Sequence, residues 1–64
     1  MSFRKHKETI IGLLKIYVNS KGNNHLIFDV YCQYMDLLSK DMEDLLLIDP
    51  DVKHYVDIIN DYDL

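Results

Sequence analysis

The chain has 64 residues, of which 48% are hydrophobic and 28% are charged, and its net charge is -4 at pH 7. A chain this short has room for one domain but not for a two-domain enzyme, and its acidic balance argues against a general nucleic-acid binder. The single cysteine, Cys32, excludes an internal disulfide and makes the cytoplasm the expected compartment. No apolar stretch reaches the roughly 20 residues that a membrane helix needs, so we expect no membrane partner.

The first predicted helix covers residues 3–19. Its apolar side chains recur at helical spacing and occupy an arc of roughly 160° on a helical wheel. They are Phe3, Ile10, Leu13, Leu14, Tyr17 and Val18. Ser2 is the expected N-cap, and Gly22 suits the left-handed position that follows a helix. Asn24 can then cap the next helix.

The second predicted helix covers residues 24–39, and its apolar arc is wide, at roughly 200°. The arc contains Leu26, Ile27, Val30, Tyr31, Tyr34, Met35, Leu37 and Leu38. The remaining polar strip contains Asp29, Cys32, Gln33, Asp36 and Ser39. Because an arc this wide needs neighbours on two sides, we expect this helix to be central in the fold or shared with another chain.

Residues 39–49 allow two interpretations. A 4-3-4-3 spacing of apolar residues continues from the second helix and allows one long helix through Ile48. The polar cluster over residues 39–41 instead favours a break, with Ser39 or Asp41 capping a short helix over 42–48. We therefore predict a small all-α up-down bundle of four helices with a short third. The alternative has three helices with a long second.

The last predicted helix covers residues 50–61 and has the clearest start signal of the chain. Asp49 is a good N-cap, Pro50 fits the first helical position, and Asp51 complements the helix dipole. One apolar face follows, made of Val52, Tyr55, Val56, Ile59 and Tyr62.

Charge is distributed unevenly along the chain. Residues 1–21 sum to +4, whereas residues 22–64 sum to -8. The cations begin the first helix and the acids end the last, so both placements oppose the helix macrodipole. These ends are neighbours in a four-helix up-down bundle, where they would neutralise each other, but not in a three-helix one. A head-to-tail dimer, or two solvated ends, would also fit.

No pattern in the sequence points to catalysis, a cofactor or a metal, and we expect none of the three. The histidines lack the spacing of a zinc site, and none is paired in sequence with a nucleophile. Asp51, His54 and Asp57 share a helix face, but first-turn acids beside a solvated histidine explain them as well. The basic run over residues 4–7 could touch phosphates, but the net charge favours a solvated terminus or internal pairing. We expect no direct nucleic-acid binding.

The candidate binding surface is acidic and aromatic and lies on the last helix. It consists of Asp51, His54, Tyr55, Asp57, Ile58, Asp61 and Tyr62. Aromatic anchors ringed by charges are typical of protein-binding patches, and acids steer a basic partner. The alternative is that Tyr55 and Tyr62 belong to the core and that the acids keep the domain soluble.

These features predict a small acidic protein that blocks a basic partner, such as a nuclease or another nucleic-acid enzyme. Amino acids with AT-rich codons are plentiful, which indicates a phage, a plasmid or a low-GC bacterium. As a short acidic four-helix chain it resembles the colicin-type immunity proteins in plan, although the Tyr-Tyr-Pro segment of their third helix is absent. The alternative, favoured by the wide apolar arc, is a self-associating structural or accessory subunit, for instance a homodimer.

Overall fold

The computed structural model describes residues 3–62, and over this range the chain forms four α-helices and no β-strand. The helices are α1 (Phe3–Asn19), α2 (His25–Asp36), α3 (Lys40–Ile48) and α4 (Pro50–Asp61). The prediction of an all-α bundle with a short third helix is confirmed. α2 ends three residues earlier than predicted and α3 begins two residues earlier. Ser2, the expected cap of α1, lies outside the described residues.

Short polar side chains set the boundaries on both sides of α2. The Asn24 side chain accepts a hydrogen bond from the Ile27 amide (3.2 Å) at the start of this helix. Ser39 adopts an extended conformation after α2, and its hydroxyl accepts from the Met42 amide (3.3 Å). An N-cap with this geometry starts a new helix. Ser39 therefore separates α2 from α3 and excludes one long helix.

The turn after α1 depends on glycine at position 22. Lys21 and Gly22 both have positive φ angles, 55° and 79°, and the Gly22 amide donates to the Tyr17 carbonyl (3.1 Å). A Cβ atom at Gly22 would stand 3.0 Å from the ring of Tyr62, which ends α4. Glycine therefore serves both the left-handed helix end and the close approach of α4.

The central helix is α1, not α2. It packs against all three other helices, and three of the seven buried core residues belong to it. The core consists of Ile10, Leu14, Tyr17, Met35, Leu46, Val52 and Ile59. α2 contributes only Met35 to this set and packs mainly against α1. The expectation that α2 is central is therefore wrong, because α1 holds that place. The outer side of α2 has no neighbour within residues 3–62.

α1 and α4 run parallel to each other. Near the start of both helices, Lys7 Nζ lies 2.9 Å from a carboxylate oxygen of Asp51. Near their ends, the Tyr62 hydroxyl donates to the Val18 carbonyl at 3.3 Å, and both contacts join residues 44 positions apart. The start of α1 and the end of α4 are therefore at opposite ends of the molecule, and the expected neutralisation between them does not occur.

The direction of α2 explains this arrangement. His6 Nδ1 lies 2.7 Å from the Tyr34 hydroxyl, and the ring of Tyr17 packs against that of Phe28 at a centroid distance of 4.9 Å, so α2 is antiparallel to α1. The end of α2 and the start of α4 both lie beside the start of α1. The short α3 connects the end of α2 to the start of α4, and both of these lie at the same end of the molecule. The number of helices and the short third one are as predicted. An up-down order would set α4 antiparallel to α1, however, and the two helices are parallel, so the neutralisation expected from that order is wrong.

Gly12, in the middle of α1, should be an unfavourable residue for the stability of the fold. It is exposed, and an added Cβ would meet nothing within 4 Å. We expect Gly12→Ala to raise the free energy of unfolding by about 0.5–1 kcal/mol, because glycine loses more backbone freedom in a helix than alanine. Urea unfolding followed by circular dichroism measures the change. Gly22→Ala is the control and should instead lower the stability, because Gly22 has a positive φ angle and an added Cβ would crowd Tyr62. An unchanged or lowered stability of Gly12→Ala would contradict the prediction.

Candidate protein-binding surfaces

A cluster of two ion pairs joins the start of α1 to the start of α4. Lys7 Nζ lies 3.2 Å from Asp49 and 2.9 Å from Asp51. The side chains of Lys7 and Asp49 are only 28% and 11% exposed, whereas that of Asp51 is 67% exposed. Part of the basic run is therefore paired internally, but with the acids that begin α4 rather than with those that end it. Asp51, predicted as a surface residue, is held in this cluster.

The surroundings shift the pKa values of this cluster. Hydrogen bonds to Asp51 and Asp49 raise the pKa of Lys7 against the opposing effect of burial. Burial raises the pKa of Asp49, but hydrogen bonds from the Val52 amide, Lys7 and the Asp51 amide outweigh it and hold the pKa below its ordinary value. Both shifts favour the charged forms, so the cluster ties α1 to α4 at neutral pH.

The shift at Asp49 predicts a loss of stability in acid. Because the folded-state pKa is below the unfolded value of 3.8, the Asp49 carboxylate stabilises the fold above that value. This contribution is lost as the pH falls through the folded-state pKa. Asp49→Asn keeps a good N-cap but removes the charge, so its stability should fall less between about pH 5 and pH 2 than that of the wild type. Thermal unfolding across this range measures it, and parallel curves for the two proteins would contradict it.

The predicted acidic-aromatic surface is divided between surface and interior. Asp51 is exposed but paired with Lys7. The other exposed polar residues of this surface, here called the acidic face, are His54, Asp57 and Asp61. Tyr55 and Ile58 are half-buried. Tyr62 is 39% exposed, but its hydroxyl donates to the Val18 carbonyl and its ring packs against Tyr17. The aromatic residues thus contribute to packing, and the charged residues form the accessible surface.

A second exposed feature lies on α2 and was not among the predicted site residues. Leu26, Val30 and Leu37 are 73%, 42% and 86% exposed. Leu37 is the C-cap that follows α2, and its backbone is still helical. With exposed Gln33 the residues follow a 4-3-4 spacing, which places all four on one line along the helix. We call these four residues the apolar stripe. The wide apolar arc of the second predicted helix indicates that some of its apolar residues are exposed, but it does not show which of them α1 covers.

Across residues 3–62, no three His, Cys, Asp or Glu side chains are grouped to hold a metal ion. Partial burial, with the nearby Asp29 and Asp36, raises the pKa of the exposed Cys32 thiol, which disfavours the reactive thiolate. A surface depression between α1 and α4 is lined by Ile11, Lys15, Asp51, His54 and Tyr55.

The acidic face and the apolar stripe therefore lie on different helices, α4 and α2. In the part of the chain that the structure describes, no helix has the length and apolarity required to cross a bilayer. Comparison of the chain with protein-family models, with curated proteins and with solved structures found no match.

Proposed function

We propose that this chain is a small acidic binding protein without enzymatic activity, which blocks a basic protein partner. The observation that carries the proposal is the uncompensated acidic end of α4. Asp57 and Asp61 are exposed, and within residues 3–62 neither forms an ion pair. The last turn of α4 contains Asp61 but no basic residue, so this acid opposes the helix dipole at a cost of about 0.3–1 kcal/mol.

At the opposite end of the molecule, where α1 begins, some of the unfavourable charges have ion-pair partners. Cations at the start of α1 oppose its dipole in the same way, but Lys7 is paired with Asp49 and Asp51. Arg4 lies 3.7 Å from Glu8. Within residues 3–62, two of the three Lys and Arg side chains at the start of α1 thus have acidic partners, whereas Lys5 and the acids at the end of α4 have none. Charged groups that lower the stability of a fold and make no compensating contact within it are typical of functional surfaces.

The acidic face suits a partner that binds nucleic acid. Side chains four residues apart, such as Asp57 and Asp61, have Cβ atoms about 5–6 Å apart on the helix surface, so their carboxylates can engage neighbouring Lys or Arg side chains. Cations that bind phosphate in a nuclease or another nucleic-acid enzyme are such a target. A protein bound there would exclude the substrate, as an inhibitor, immunity protein or antitoxin does. The proposed setting is the cytoplasm of a bacterial host, with the protein encoded by a phage, a plasmid or the host itself.

Charge reversal on the acidic face should weaken the complex without unfolding the protein. We expect Asp57→Lys and Asp61→Lys each to reduce affinity roughly 3- to 10-fold, mainly through slower association. Helicity should be retained, because both side chains are exposed and a cation near the end of a helix is favourable. The partner is captured from the native host at low salt, released at high salt, and titrated with each variant.

Asp44→Lys in α3 is the matched control for these reversals. Asp44 is also exposed, and its reversal changes the net charge of the protein by the same amount. We expect this variant to bind nearly as well as the wild type. A partner that tolerates both α4 reversals, or that is lost equally with Asp44→Lys, would contradict the assignment of the acidic face.

A second candidate function is that of a self-associating accessory subunit. The exposure of Leu26 and Leu37 favours it, because large apolar side chains at heptad spacing are typical of helix pairing. Sedimentation equilibrium at micromolar concentration separates the two functions. A species of 7.6 kDa supports the inhibitor, whereas a stable dimer that covers α4 would exclude its acidic face from binding.

A further inference from the structure

The apolar stripe on α2 faces away from the core. Leu26 and Leu37 mark its ends and are 73% and 86% exposed. They are separated by about 16 Å at the helical rise of 1.5 Å per residue. Met35, the buried residue of α2, lies on nearly the opposite side of the helix. The stripe is therefore a line of three apolar side chains and Gln33 that α1 does not cover.

One side of the stripe is bordered by acids. Asp29 and Asp36 are exposed and lie seven residues apart, so they follow the same edge of α2. α2 contains no Lys or Arg, and within residues 3–62 neither acid forms an ion pair. The carboxylates also add to the effect of burial in raising the pKa of Cys32, which lies between them. This edge of α2 is electronegative.

We propose that the apolar stripe docks an amphipathic helix of another protein, one with apolar residues at heptad spacing and Lys or Arg beside them. Its apolar residues would pack on Leu26, Val30 and Leu37, and its cations would meet Asp29 and Asp36. The inference rests on the proposed function in one respect, namely that the partner is basic. The surface and the binding mode are additional to the acidic face.

A second copy of this chain fits the stripe less well. In an antiparallel pair of α2 helices, equivalent edges face each other, so Asp29 and Asp36 would oppose the same two carboxylates. In a parallel pair, these acids would face the opposite edge, where Ile27 and Tyr34 lie and where there is no cation. Charge complementarity therefore favours a foreign basic helix over self-association.

The direct test uses two synthetic peptides of three heptads. Both have Leu at the a and d positions, and they differ only in having Lys or Glu at the e and g positions. Each is labelled with a fluorophore and titrated with the full chain under reducing conditions, because Cys32 is exposed. We expect the Lys peptide to bind at least about tenfold more tightly than the Glu peptide. Equal binding of the two peptides would overturn the proposal.

Serine variants locate the site on the stripe. Leu26→Ser combined with Leu37→Ser should weaken binding of the Lys peptide at least about tenfold, since both anchors are lost. The matched control is Ile48→Ser in α3, which removes an apolar side chain that is 72% exposed but outside the stripe. All three side chains are exposed, so the variants should keep the wild-type circular dichroism spectrum. Equal losses in the variant and the control would place the peptide elsewhere and overturn the proposal.

Charge reversal separates the stripe from the acidic face. Asp29→Lys combined with Asp36→Lys should reverse the preference, so that the Glu peptide binds more tightly. Asp57→Lys combined with Asp61→Lys changes the net charge equally but should preserve the preference for the Lys peptide. If only the α4 pair reverses the preference, the stripe proposal fails and the acidic face stands. A different outcome is that the host partner binds the α4 variant normally while the α2 variant prefers the Glu peptide. In that case the assignment of the acidic face fails and that of the stripe stands.

Sedimentation of the wild-type chain tests the competing occupant. Under reducing conditions we expect a 7.6 kDa monomer throughout the micromolar range. A dimer that disappears when Leu26 and Leu37 are replaced by serine would assign the stripe to a second copy and overturn the proposal.

Discussion

Leu46→Ala is expected to destabilise the protein by about 2–5 kcal/mol, the range measured when large aliphatic side chains in a core are truncated. Leu46 has no exposed surface and is the one buried residue of α3. Its side chain packs in the core between α3, α4 and α1. A domain of this size has only about 3–10 kcal/mol of total stability, so the variant should be largely unfolded at 37 °C.

The neighbouring Leu47 provides a matched control. Leu47→Ala removes the same atoms from the same helix, but Leu47 is 42% exposed. We expect this variant to lose less than about 1 kcal/mol, since much of its side chain is already in water. Urea unfolding followed by circular dichroism compares the two. Equal losses would show that α3 is held by its helical propensity or by its ends rather than by the insertion of Leu46.

Local signals in the sequence were sufficient to place the helices. Asn24, Ser39 and Asp49 each cap a helix through a contact with an amide two or three residues further along the chain. Such contacts depend on neighbouring residues alone, so they can be read without knowledge of the fold. The same holds for the exposure of Asp57 and Asp61, which follows from the helical period.

The mutual arrangement of the helices could not be read in this way. The pairing of Lys7 with Asp51 joins residues 44 positions apart, and no local pattern specifies it. The uneven charge of the chain instead favours neutralisation between its basic start and its acidic end, which the parallel packing of α1 and α4 prevents. A helical wheel likewise shows how wide the apolar arc of α2 is, but not which part of it a neighbour covers. The apolar stripe could be identified only once α1 was known to be central.

Tyr17→Ala is the second substitution for which we expect a large effect, about 3–5 kcal/mol of lost stability. Tyr17 is 8% exposed, and its ring lies 4.9 Å from that of Phe28 and 6.4 Å from that of Tyr62 by centroid distance. It thus joins α1 to the start of α2 and to the end of α4. Tyr17→Phe retains the ring and both aromatic contacts, so it should lose less than about 1 kcal/mol.

A double-mutant cycle between Tyr17 and Tyr62 tests the parallel arrangement of α1 and α4. Because the two rings are in contact, the double alanine variant should lose about 0.5–1.5 kcal/mol less than the two single variants together. If α4 ran antiparallel to α1, Tyr62 would lie near the start of α1 and the two losses would simply add. Additivity in urea unfolding would therefore contradict the parallel arrangement. In an antiparallel arrangement the acids at the end of α4 would lie beside the cations at the start of α1. The uncompensated charge on which the proposal for the acidic face depends would then be absent.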